Sequence, residues 1–294
     1  MTPERTAAVA STPAASLPEA EPQSAATRKP RFDSAYVAPL FITSILLAGH
    51  LGFGVLESPW KTLLAIATAI AAEIVLHRVF FSKWPHLASA YITGISVGII
   101  LRSPAFWPYA LCSLISITSK YVLRVKGRHL WNPSNFGISV ILFLAASDAA
   151  ALSVQWGNQV WAMAVIWGVG SVIIWRLRRF HICATYVASF IALSYVRSLF
   201  TGHTWLTEMT PITGPPYQLF VFFMITDPKT TVKSKWGQCI VAFAVALAEM
   251  ILRLNQEIHA PYYALFLVGP AANLIEIWWN SRRPIGGTLA SSAA

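Results

Sequence analysis

Tyr91-Ile-Thr-Gly-Ile-Ser-Val-Gly-Ile-Ile-Leu-Arg-Ser-Pro104 is an apolar stretch cut short by a proline. Tyr217-Gln-Leu-Phe-Val-Phe-Phe-Met-Ile-Thr-Asp-Pro228 repeats that layout in the second half of the chain. Neither reaches the length of about 20 apolar residues that a helix needs to cross a hydrocarbon core. Each is followed by a full-length apolar segment and then by a proline-led string. In the first half that string is Asn132-Pro133-Ser134-Asn135, and in the second it is Gly269-Pro270-Ala271-Ala272-Asn273. Paired interrupted helices in the two halves of a membrane protein point to a binding site at the centre of the fold.

The rest of the chain places these strings in a bilayer. Only 12% of residues are charged, against about a quarter in soluble domains, and the mean hydropathy is +0.56. Apolar runs recur from residue 35 to residue 283, which predicts an all-α polytopic membrane protein of about ten transmembrane helices. The expected spans are Tyr36–Val55, Thr62–His77, Leu87–Leu101, Ala105–Leu123 and Pro133–Ala146 in a first repeat, 35–147. A second repeat, 148–283, holds Val160–Trp175, Ile182–Phe200, Tyr217–Thr226, Trp236–Leu252 and Tyr262–Asn280. Residues 1–34 are rich in Ala, Pro, Ser, Thr and Glu and lack the layout of a signal peptide, so they read as an attached disordered tail. Residues 284–294 read as a second tail. Cys112, Cys183 and Cys239 have no Cys-x-x-Cys spacing and are expected to be small packing residues.

Charge fixes the threading. With both termini cytoplasmic, only Lys61, Arg102, Arg197 and Arg253 fall on the outer side, and Lys120 falls within a span. Every other Lys and Arg falls on the inner side, as the positive-inside rule requires. The basic excess of +10 is therefore a topology signal and not a site for nucleic acid. Most tryptophans lie near span ends, where an amphipathic ring prefers the interface; Trp167, mid-span, is expected to pack between helices. Five spans per half, an odd number, make the halves inverted repeats, with the third and eighth spans as the short broken helices.

Few residues within this frame carry chemistry. Asp227 ends an apolar helix, where a carboxylate opposes the macrodipole and needs compensation. Two readings stand open: a helix stop in which Asp227 caps the next helix, or part of a binding site with Thr226, Pro228 and the hydroxyls of Thr230 and Thr231. Asn132 and Pro133 read as an N-cap and first helical residue. Asn135 and Gly137 are unusual in the first turn of a lipid-buried helix, whose free N–H groups suit a polar ligand, and Asn273 is the matching polar residue of the second half. His50, Glu73, Lys120, Glu249 and Glu276 are ionisable at membrane depth, each a functional candidate or half of an internal pair. Glu73 stands one turn from His77, Lys120 one turn from Arg124, and Glu276 near Arg282 and Arg283. No acid/base pair of carboxylates and no metal-ligand spacing is visible.

Several strings resemble those of a known family. Ile92-Thr93-Gly94 leading to Leu101-Arg102-Ser103-Pro104, then Ser119-Lys120, Asn132-Pro133, Phe223-Met224-Ile225-Thr226-Asp227-Pro228 and Ala272-Asn273-Leu274 resemble the NqrB/RnfD family. Its members are membrane components of the sodium-pumping NADH:quinone reductase and of Rnf electron-transport complexes. Within the family the chain looks most like the UnbU branch associated with enediyne biosynthesis. The resemblance implies ten helices in two inverted halves similar to urea-transporter-like channels, flavin as cofactor, and residence in a bacterial inner (plasma) membrane. It makes Thr226, Asp227, Pro228, Asn132, Asn135, Lys120 and Asn273 the candidate cofactor-binding residues. The Ser-Gly-Ala-Thr string that holds FMN covalently in the electron-transport members is missing from the corresponding stretch, Ala146 to Asn158. Covalent FMN is therefore not expected, which leaves noncovalent FMN or riboflavin.

Three functions follow as expectations. The chain is a membrane component of an electron-transfer and ion-translocating assembly with other redox proteins as partners, a transporter or channel for a small solute, or a membrane scaffold for a biosynthetic partner. Stand-alone catalysis is not expected.

Overall fold

In lipid the backbone finds no water, so a spanning segment must satisfy its own N–H and C=O groups, and helices do this within one segment. The computed structural model, which describes residues 37–52, 58–151 and 160–282, is accordingly all-α apart from one small hairpin. The two expected tails and the far part of the loop searched for a covalent flavin string lie outside the described residues.

In chain order, α1 (Val37–Leu47) runs into a π-helical turn (Ala48–Gly52). Then come α2 (Pro59–Phe81), α3 (Ala88–Ile100) and α4 (Trp107–Val122). Strands β1 (Arg124–Val125) and β2 (Arg128–His129) form the hairpin, and α5 (Pro133–Leu144) follows. The second half holds α6 (Val160–Arg176), α7 (Phe180–Thr201), the short α8 (Trp205–Met209), α9 (Pro215–Leu219), α10 (Lys235–Leu254) and α11 (Ala260–Arg282). A helix overlaps each of the ten expected segments. Helices α2, α7 and α10 are long and apolar enough to cross a membrane. Large apolar side chains such as Leu63, Val79, Phe143, Leu199 and Ile240 are exposed on the outside, an extent of apolar surface suited to lipid. Trp167 joins them at 51% exposure. It faces outward and does not pack between helices as expected.

Both proline-cut segments are short helices that stop. At 13 residues, α3 spans about 20 Å and ends before Leu101–Pro104. Just past its end three carbonyls in a row are taken, Leu101 O by Tyr109 Oη (3.1 Å), Arg102 O by Ala150 N (2.8 Å) and Ser103 O by Lys61 Nζ (2.7 Å). A lysine suits the negative end of a helix dipole. Helix α9 continues as a π-helical stretch, Phe220–Met224, before it stops. There Ile225 N reaches back to Phe220 O (3.2 Å) and Thr226 Oγ1 to Phe222 O (2.5 Å).

The Gly269-Pro270 string differs from expectation. It does not lead a segment, because α11 runs straight through Pro270. Proline lacks the N–H that would bond the carbonyl four residues earlier, which leaves Phe266 O without its helical donor. Trp131 Nε1 supplies one at 2.9 Å. The helix survives because a side chain from the other half of the chain replaces the missing bond. Trp131→Phe should therefore cost about 1–2 kcal/mol in thermal unfolding, the penalty for a buried carbonyl left bare. In a Pro270→Ala background, where the backbone N–H returns, the same change should cost less, and equal costs in both backgrounds would refute the exchange.

Gly137, unusual in a lipid-buried first turn, is explained by packing. A Cβ there would lie 2.0 Å from Ser116 Oγ and 2.6 Å from Cys112 O on α4. Small residues let membrane helices approach this closely.

Candidate functional site

The N-terminus of α5 is the foundation. Asn132 Oδ1 caps it by accepting from Asn135 N (3.1 Å) and Ser134 Oγ (2.8 Å). The other end of the same amide, Nδ2, donates to Asp227 Oδ2 (3.1 Å). An asparagine can do both, because its amide carries an acceptor and two donors. Asp227 Oδ2 also accepts from Thr230 Oγ1 (3.0 Å), and Oδ1 from Lys229 N (3.0 Å). The carboxylate at a helix C-terminus is thus compensated by three donors. Asp227 does not cap the next helix as the first reading had it. Ser234 does, its Oγ accepting from Gly237 N at 2.9 Å, because a turn separates Asp227 from α10.

Asn273, buried midway along α11, uses its whole amide. Nδ2 donates to Thr230 O (2.6 Å) and Leu130 O (3.2 Å), and Oδ1 accepts from Arg128 Nη2 (3.1 Å). Arg128 also pairs with Glu276 (2.5 Å), which accepts from Lys233 N through its other oxygen (2.6 Å). Glu276 is therefore held by Arg128 of the hairpin and by Lys233 N, and Arg283 lies outside the described residues. Asn135 Nδ2 and Ser139 Oγ both donate to Tyr262 O (3.2 and 3.3 Å). Asn135 Oδ1 is buried with no hydrogen-bond partner among the described residues.

Thr226, Asp227, Pro228, Asn132, Asn135 and Asn273 thus come together where α5, the 225–231 turn and α11 meet. Lys120 is not bonded to them. It pairs with Glu73 at 2.6 Å, and Tyr121 Oη donates to the other oxygen of Glu73 (3.0 Å). The expected Glu73–His77 neighbour pair is replaced, since His77 Nδ1 turns to Tyr121 Oη (3.3 Å). The polar atoms of the Asp227 cluster bond mainly to one another. The adjoining void, between Met224, Thr230, Val241, Leu265 and Gly269, is about 20 Å³, room for about one water. A flavin ring does not fit in this cluster as it stands.

A second cluster escaped sequence reasoning. Glu249 is fully buried (0% exposed) and accepts from Tyr186 Oη, from Tyr217 Oη (2.6 Å) and from Arg253 Nε (2.8 Å), with the two phenols 2.6 Å apart. Only the Glu249–Arg253 spacing of one helical turn was visible in the sequence. The tyrosines come from α7 and α9, with no spacing rule linking them to α10. Phe220 bridges the clusters, its ring meeting Tyr217 on one side (6.1 Å between centroids) and Tyr262 on the other (5.7 Å).

Outside the spans, His129 sits in the hairpin beside the first cluster. Burial pushes its pKa down, and the positive charges of Arg124, Lys120 and Lys229 push it further, against the opposing pull of Asp227.

No protein-family model matches the chain, and no curated protein matches it either.

Proposed function

We propose that this chain translocates a small cation, a proton or a sodium-sized ion, as the membrane component of an electron-transport assembly. One observation carries the reading. A column of largely buried polar side chains runs from Glu276 and Arg128 through Asn273, Asp227, Asn132 and Asn135 to Tyr262. One ring, Phe220, separates it from Tyr217, Glu249 and Arg253. Ionisable groups at membrane depth are costly and are kept where an ion or proton path needs them. Glu276, Asp227 and Glu249 are the acids of this column, with Arg128 at the inner end and Arg253 at the outer end of the charge-based threading.

The same reading takes the fold as two inverted five-helix halves in a bacterial inner membrane, with both termini cytoplasmic. Repeated packing supports it. Helix α2 lies on α4 as α7 lies on α10, α4 on α5 as α10 on α11, and α1 on α3 as α6 on α9. Redox partner proteins and a noncovalent FMN or riboflavin enter on the resemblance alone, and a visible absorption spectrum of the purified protein without flavin bands, before and after reconstitution, would remove the flavin from the reading.

Flux into vesicles tests the translocation. Glu249→Gln keeps the side-chain size and one acceptor for the tyrosines but removes the charge, and should lower proton or sodium flux under an imposed gradient at least tenfold. Asn135→Ala should impair it less. Wild-type flux in Glu249→Gln would overturn the proposal.

A further inference from the structure

A cavity of about 360 Å³ opens where the C-terminal ends of α2 and α4, the hairpin and the 225–231 turn converge. Its lining is lopsided in charge. Lys83, Arg124 and Lys229 stand on its walls with Lys120, while the acid in the lining is Glu73. Lys120 already neutralises that acid at 2.6 Å. The ammonium groups of Lys83 and Lys229 therefore face a cavity whose carboxylate is already paired. Among the described residues, His129 Nδ1 is buried there without a hydrogen-bond partner. The cations outnumber the carboxylates near them, and like charges repel one another at a cost, which an anion entering the cavity would lower.

The other wall is aromatic. Tyr121 stacks on Phe80 (5.6 Å, 29° between planes) and lies 6.2 Å from Phe81. Phe80 and Phe81 are both exposed at the rim. Exposed cations beside exposed aromatic surface match an amphiphile with an anionic head. Lysines hold phosphate as point charges, and Lys83, Arg124 and Lys229 belong to stretches that the charge map sets at the inner face. Basic pockets between helices at that face bind phospholipid headgroups.

We infer that this cavity is a binding site for a phosphate group, presented by an anionic phospholipid of the inner leaflet. The site does not depend on the translocation reading, since it uses neither Asp227 nor Glu249.

The test uses the purified full-length protein in neutral detergent, titrated with phosphatidylglycerol, with phosphatidylcholine and with inorganic phosphate. Phosphatidylglycerol should bind the wild type more tightly than phosphatidylcholine. Each basic residue near a membrane surface contributes about fivefold to such binding, so Lys83→Ala/Arg124→Ala/Lys229→Ala should weaken it about 100-fold. All three side chains are exposed, and the single Lys229→Glu should reproduce the direction of the loss if the triple variant fails to fold. Arg176→Ala/Arg178→Ala, at a second basic cavity near the α6–α7 turn, should bind as the wild type does. Variant-sensitive binding of inorganic phosphate without that of phosphatidylglycerol would keep the phosphate site and assign it a soluble ligand. Unchanged binding of both probes in the triple variant and in Lys229→Glu would overturn the site. So would an equal loss at Arg176 and Arg178, which would mean unspecific attraction to basic surface.

Discussion

Gly94→Val is expected to lower the stability of the protein in detergent by about 3 kcal/mol or more, seen as a large fall in the melting temperature or loss of a monodisperse peak. A Cβ at this position would lie 2.5 Å from Ile66 Cα and 3.0 Å from Ala65 O. Both atoms belong to the backbone of α2, so no rotamer change can make room. Helix α3 must move off α2 as a body, and the contacts along that interface go with it. Overpacking a core typically costs about 1–3 kcal/mol when side chains can yield, and here they cannot. Gly168→Ala is the control, since nothing lies within 4 Å of a Cβ there and alanine favours a helix by about 1 kcal/mol over glycine. A Gly94→Val protein that melts with the wild type would show that the α2–α3 contact is looser than described.

The second large effect concerns Glu73 and Lys120, which are 5% and 8% exposed. Glu73→Ala leaves an ammonium buried without its partner and should cost about 3–5 kcal/mol. The double replacement Glu73→Leu/Lys120→Met removes both charges and should be close to neutral, because desolvating a buried pair offsets most of its attraction. Tyr121 Oη, which loses Glu73 in either variant, keeps His77 Nδ1. The coupling between the two sites is read from the difference in melting between single and double variants. Equal losses in both would mean that the pair does not act as a unit.

The sequence carried the architecture further than the site. Hydropathy alone located the ten helical segments, and proline placement alone located the stops after α3 and after α9. These features are local: a run of apolar side chains or a missing N–H acts on its own segment whatever the rest of the chain does. Pro270 shows the boundary of that logic. By local rules it should begin or break a helix, and it does neither, because Trp131 fills the bond it leaves open. Asp227 is similar. Its need for compensation was legible from its position at a helix end, and so was the nearby Thr230 hydroxyl, but its distant partner was not. Asn132, 95 residues away, answers it in place of the start of the following helix.

Pairing over such distances is what the sequence left undetermined. Glu73 stood beside His77 in sequence and pairs with Lys120, and Glu276 stood beside two arginines and pairs with Arg128. Tyr186, Tyr217 and Glu249 share no spacing at all, yet form one fully buried cluster. The amino-acid sequence by itself determined an all-α chain of apolar helices, three of them long and apolar enough to cross a membrane, with two stopped helices, because apolar runs and backbone satisfaction are decided segment by segment. Only the tertiary structure decided which polar groups share the interior. A buried charge takes whichever partner the packing of distant helices brings within hydrogen-bonding reach.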